Sequence, residues 1–160
     1  MVWYNNYSKE IEKAIKSKLK GSKFILTLMA EYSIPVSDID KHLDIQITDL
    51  GGGYAEGNSK VIRIDEKIVE GILNENFHFI IHEMWHWIKR RHEKLFYFND
   101  SEEVQAFIWA IAWEMYSGRE RELYKKIYPI VDSHFRDDAV AEDIFESMCE
   151  HARELCVKFK

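Results

Sequence analysis

Phe77-His78-Phe79-Ile80-Ile81-His82-Glu83-Met84-Trp85-His86-Trp87-Ile88-Lys89-Arg90-Arg91 governs how the rest of the chain is read. Helical spacing runs through it, and its apolar residues cover several faces, which predicts a largely buried helix. Its polar residues concentrate at His78, His82, Glu83 and His86. On a helix, His82 and His86 stand one turn apart on one face, and Glu83 projects about 100° around the axis from His82. Imidazoles in so apolar a segment need partners, because an unsatisfied polar group is costly to bury.

Outward from this stretch the period changes. Upstream, Ile68, Val69, Ile72 and Leu73 form a short amphipathic segment. Before it, Leu43-Asp44-Ile45-Gln46-Ile47-Thr48 alternates apolar and polar, as a half-buried strand does, and Lys60-Val61-Ile62-Arg63-Ile64-Asp65 reads as a second strand. Gly57-Asn58 predicts a hairpin turn, and the glycines before it mark a bulge or a close backbone approach. The chain opens with a predicted helix over 8–20 (Ile11, Ala14, Ile15 and Leu19 at helical spacing). Gly21 interrupts it, and the pattern resumes from Phe24 until Ile34-Pro35 stops it. Downstream, Asn99-Asp100-Ser101 offers helix caps followed by acidic Glu102-Glu103, as a helix N-terminus favours. The helix then runs over 104–117, apolar in nearly every direction and so buried, and stops at Gly118. A polar piece ends before Pro129, and a last helix spans about 139–157. The plan is α+β: mainly helical, with a small antiparallel β-sheet, in one domain over 1–160 whose chemistry-bearing core covers about 50–118.

His82-Glu83-Met84-Trp85-His86 is an HExxH motif. Two imidazoles one turn apart can converge on one zinc ion at about 2.0–2.1 Å, with the intervening glutamate beside the open coordination position, where it can take a proton from water. A shuffled chain of this composition would carry HExxH about 3% of the time, so the helical, apolar context is what lends the motif weight. A catalytic zinc commonly takes three protein ligands. The carboxylates that open the buried helix, Glu102 and Glu103, are the candidates for the third. Helical phase does not choose between them: Glu103 shares a face with Phe107 and Ala110, Glu102 with Ala106 and Trp109, and both faces are apolar.

His82-Glu83-Met84-Trp85-His86 followed by Glu103-Val104-Gln105-Ala106 resembles the gluzincin pattern of HExxH and then ExxA or ExxD on the next long helix. Glu103-Val104-Gln105-Ala106-Phe107 also resembles the E-A-N-x-F stretch of ImmA/IrrE-type metallopeptidases. Both resemblances imply Glu103 as the ligand, with Glu102 a solvated cap charge. They imply a zincin-like fold, zinc as cofactor, Glu83 as general base, and peptide or protein as substrate. They further imply that an edge strand, here Gly53-Tyr54-Ala55, binds extended substrate by backbone pairing. The likeness covers about residues 50–115. Trp85 stands where many members carry a small residue, and the signature reads E-V-Q rather than E-A-N. With the cleft filled by Trp85, the same fold would serve as a catalytically silent binding or regulatory protein.

Composition bounds the remainder. The chain has 160 residues, 46% hydrophobic and 31% charged, with a net charge of −6, which argues against a general nucleic-acid binder or a membrane-surface binder. No secretory leader and no apolar run long enough to span a bilayer is visible, and Cys149 and Cys156, seven apart, are too distant on a helix for a disulfide. The expectation is a soluble, reduced, cytoplasmic protein. Oligomeric state has no sequence signal. His78 reads as structural and His92 as surface. His134, Tyr128, Tyr116, Tyr54 and His151 are candidate donors to a tetrahedral oxyanion, His134 first among them. Glu142, Asp143, Glu146, Glu150 and His151 read as a solvated helix face. A terminal segment that covers the cleft and keeps the enzyme latent is a further expectation.

Overall fold

Ser22 shows how locally the helices are set: its hydroxyl accepts from the Ile25 N–H (3.5 Å) and starts a new helix directly after the old one ends. The computed structural model describes residues 2–93, 100–135 and 138–158, and the side chains of 8–91, 102–135 and 140–158. The chain forms two compact units, Met1–Tyr97 and Phe98–Lys160. Mostly helical with one three-stranded sheet, it has the α+β architecture expected.

In the first unit, α1 (Val2–Lys20), α2 (Lys23–Glu31) and α3 (Asp38–His42) precede β1 (Asp44–Thr48), β2 (Ala55–Gly57), β3 (Val61–Asp65) and the long α4 (Phe77–Glu93). β2 and β3 form the expected hairpin, with Glu56 opposite Arg63. The Asn58 side-chain oxygen accepts from the Lys60 and Val61 N–H groups and closes the turn. The sheet as a whole is mixed rather than antiparallel: its order is β1-β3-β2, and β1 pairs with β3 in parallel, Asp44 opposite Val61. The alternation of β1 specifies its buried face but not its neighbour. β3 takes the centre: Val61, Ile62, Ile64 and Asp65 are all buried, and Arg63 between them reaches solvent beside Glu56. The segment around Ile68 and Ile72 is a 3-10 turn (Glu66–Ile68) followed by further turns, not a continuous helix.

The two sheet edges differ. On β1, the Ile45 N–H donates to a Glu12 carboxylate oxygen (3.2 Å), so α1 covers that edge. β2 forms the other edge. Asp65, fully buried at the end of β3, organises the loop that leads into β2: its carboxylate accepts from the N–H groups of Lys67 (2.8 Å), Leu50 (3.0 Å) and Gly52 (3.2 Å). The Lys67 N–H foremost, with Gly52 and Leu50 behind it, holds this carboxyl below its ordinary range against the opposing effect of burial. α4 packs on β2, β3 and α2, and Arg91 on it pairs with Asp38 of α3 at 2.9 Å.

The second unit comprises α5 (Asp100–Tyr116), α6 (Leu123–Lys126), α7 (Tyr128–Phe135) and α8 (Asp138–Lys158), with α8 packed along α5 and α7. α5 stops where expected. Gly118 adopts φ +80°, and the Arg119 N–H returns to the Glu114 carbonyl (2.8 Å) while the Gly118 N–H meets Met115 (3.0 Å), a Schellman cap. Pro129 does not end a helix here but lies in the first turn of α7, where its missing N–H costs no helical bond. Phe145 of α8 meets the rings of Tyr124 and Tyr128 at 5.0 and 5.3 Å. Cys149 and Cys156 are buried in α8 without a disulfide, and burial pushes the Cys149 thiol up to about 11. No described helix is long and apolar enough to cross a membrane.

Candidate metal centre

α4 presents the HExxH residues as helical geometry requires. The His82 and His86 rings lie 5.0 Å apart and tilted at 66°, His86 buried and His82 half-buried. Trp85 is buried too and meets the His86 ring edge-on at 5.7 Å, so its bulk goes into packing beside the second histidine. Glu83 is buried, and its carboxylate lies against the backbone of β2: a Cβ added to Gly57 would stand 2.9 Å from Glu83 Oε2. One short strand and one helical turn thereby bring a carboxylate to the sheet's edge.

Glu103, in the first turn of α5, is half-buried, and Glu102 is buried at 5% exposure. Glu102 is therefore not a solvated cap charge. The residues one turn along its face, Ala106 and Trp109, are themselves buried, and that face carries Glu102 inward with them. α4 carries His82 and His86, and α5 carries Glu103 in its first turn. Two imidazoles and one carboxylate are a donor set that zinc takes in catalytic sites. By number and type the residues fit the ion.

The edge strand is displaced from its expected position. β2 comprises Ala55–Gly57; Gly53 and Tyr54 precede it. Tyr54 still extends the ladder, its carbonyl accepting from the Asp65 N–H (3.0 Å), and Asn58 bonds to Val61 at the far end (3.0 Å). Antiparallel bonding alternates, so residues 54, 56 and 58 face β3 and the backbone groups of Ala55 and Gly57 point outward. Of the expected trio, Ala55 is on the edge. In the sequence Gly57 reads only as turn punctuation; a glycine inside a strand is the signal that marks it. Asp65 carries a comparable signal, an aspartate that ends an apolar strand and caps buried backbone N–H groups.

The other sequence candidates separate clearly. His78 has Nδ1 3.1 Å from the Glu75 carbonyl oxygen, at the start of its own helix, in keeping with a structural part. The side chain of His92 lies outside the described residues, as does Asn99. The Tyr54 hydroxyl donates to the Leu50 carbonyl (2.9 Å), Tyr128 packs on Tyr124 and Phe145, Tyr116 is exposed, and His151 Nδ1 lies 2.8 Å from the Ser147 carbonyl oxygen in its own helix. His134 on α7 meets the edge of Phe107 with ring centroids 6.3 Å apart. Phe107 is one helical turn from Glu103 on the same face of α5. Among the described residues, the acidic face of α8 forms no comparable metal group. Comparison with known proteins gives no match: no family model, no curated protein and no solved structure matches this chain.

Proposed function

We propose that the chain is a zinc-dependent metallopeptidase of the gluzincin kind, acting on peptide or protein substrates in a reduced, cytoplasmic setting. The observation that carries the reading is the placement of Glu83, next in sequence to His82, with its carboxylate against the edge strand β2. General base and peptide-pairing edge would then share one location, which a silent core histidine pair does not need. The ligands would be His82, His86 and Glu103. An ion held by them would supply Lewis acidity, bringing the pKa of water to near 7.

Every other part belongs to the chain. The outward N–H and C=O groups of Ala55 and Gly57 would hold an extended substrate by strand addition, with its backbone in the plane of the sheet. Glu83 Oε2 would take a proton as water attacks the peptide carbonyl, and deliver that proton to the departing amine nitrogen when the C–N bond breaks. An acid and an amine result, and Glu83 returns to its carboxylate form. The His134 imidazole, carried by α7 near the Glu103 face of α5, is the candidate donor to the developing oxyanion.

Glu83→Gln tests the reading. The variant should retain stoichiometric zinc and lose about 10²–10⁴-fold in kcat on an unstructured protein substrate. Wild-type turnover by the variant would remove Glu83 as base. A wild-type protein that holds zinc and cleaves nothing would instead support the silent binding protein.

A further inference from the structure

Gly57 occupies an ordinary extended strand: among the described residues the glycines with positive φ are Gly51, Gly71 and Gly118. Its backbone is one that any L-residue can adopt, and in a strand glycine is the weaker choice, since it packs nothing and loses more freedom on folding. Backbone geometry therefore does not account for it. The space where its side chain would stand is filled by Glu83. A Cβ on Gly57 would lie 2.9 Å from Glu83 Oε2, 3.3 Å from Glu83 Cβ and 3.5 Å from Ile62 Cγ1. The first separation is too short to persist. Its far partner is the end of a flexible side chain, so the carboxylate would move before the strand or the helix did.

We propose that Gly57 is a positioning residue: the missing side chain is a seat that holds the Glu83 carboxylate at the outer strand. The consequence for turnover rests on the peptidase reading and deepens it. A Cβ in a strand stands perpendicular to the sheet, whereas a substrate pairing with β2 approaches in its plane. A methyl group at position 57 therefore displaces the base without obstructing the substrate. A displacement of about 1 Å in a reacting group is enough for a ~100-fold loss of rate.

Gly57→Ala should lower kcat per bound zinc by ~100-fold while KM stays within about threefold of wild type. The independent readout is a thermal cycle on metal-free protein. Gly57→Ala should lower Tm in the wild-type background, and in the Glu83→Ala background, where the 2.9 Å carboxylate contact is gone and the 3.3 Å Cβ contact remains, the loss should shrink. Equal Tm changes in the two backgrounds would overturn the proposal, as would an unchanged kcat in an active enzyme. Should the single variant fail to fold, a folded double variant supports the seat and an unfolded one refutes it. The cycle needs neither zinc nor substrate, so failure of the peptidase reading and failure of the seat are told apart.

Discussion

Zinc added to the metal-free protein should raise its melting temperature by an amount that can be worked out beforehand. A ligand that binds only the folded chain stabilises it by about 2.7 kcal/mol at a hundredfold excess over Kd. Unfolding entropy near 2.1 cal/mol/K per residue gives ~0.34 kcal/mol/K for a chain of 160 residues, so the expected rise is about 8 °C. Gathering two imidazoles and a carboxylate around one ion requires side-chain rotation. If one side chain leaves its rotamer minimum, the cost is of order 1 kcal/mol, roughly a fivefold weaker Kd and not a lost site. The zinc-induced rise, read by scanning calorimetry against each variant's own metal-free Tm, separates metal binding from any packing defect at the buried His86. His86→Ala should abolish it. Glu103→Ala should weaken zinc binding by more than the 10–100-fold typical of a residue that merely supports a ligand, and Glu102→Ala should leave it within about threefold. An undiminished rise in His86→Ala would refute the assignment of the centre to α4. Loss in Glu102→Ala with retention in Glu103→Ala would transfer the third ligand to its neighbour.

Two further outcomes follow from geometry. Asp65 is held below its ordinary carboxyl range by backbone N–H groups, so its contribution is present in full above about pH 3.8 and fades as the pH falls through its lower folded value. Asp65→Asn should lower the Tm of metal-free protein at neutral pH, and the gap to wild type should close as the pH drops below 3.8; a gap independent of pH would mean that the charge plays no part. His134→Ala should reduce kcat by about 10²-fold with KM and zinc content little changed, and an unaffected kcat would remove His134 as the oxyanion donor.

What the sequence made legible follows from how far each interaction reaches along the chain. Helix α4 and its pair His82 and His86 were readable because a spacing of four residues becomes a shared face by helical geometry alone, whatever surrounds it. The end of α5 at Gly118 was equally local, a cap that closes onto Glu114 and Met115 of the same turn. The sheet order was not legible, since the alternation of β1 is compatible with either neighbour and its parallel partner β3 is specified only by packing. Glu102 and Glu103 were ambiguous for a related reason: both lead into apolar faces, so burial of Glu102 follows from tertiary surroundings that no window of sequence contains.

Gly57 is the instructive case because two signals overlapped. Beside Asn58 it belonged to a turn signature, and the turn is there; within β2 the same residue is also the place where a carboxylate from α4 needs room. A glycine reports that a side chain is absent and cannot report what fills the space, which is a property of a helix 26 positions away in the chain. Residues that carry chemistry announce themselves by type, as His82, Glu83 and His86 do. Those that aim the chemistry are recognised only once the element they yield to has been packed against them, and for this chain the distance from position 57 to Glu83 is where that distinction becomes measurable.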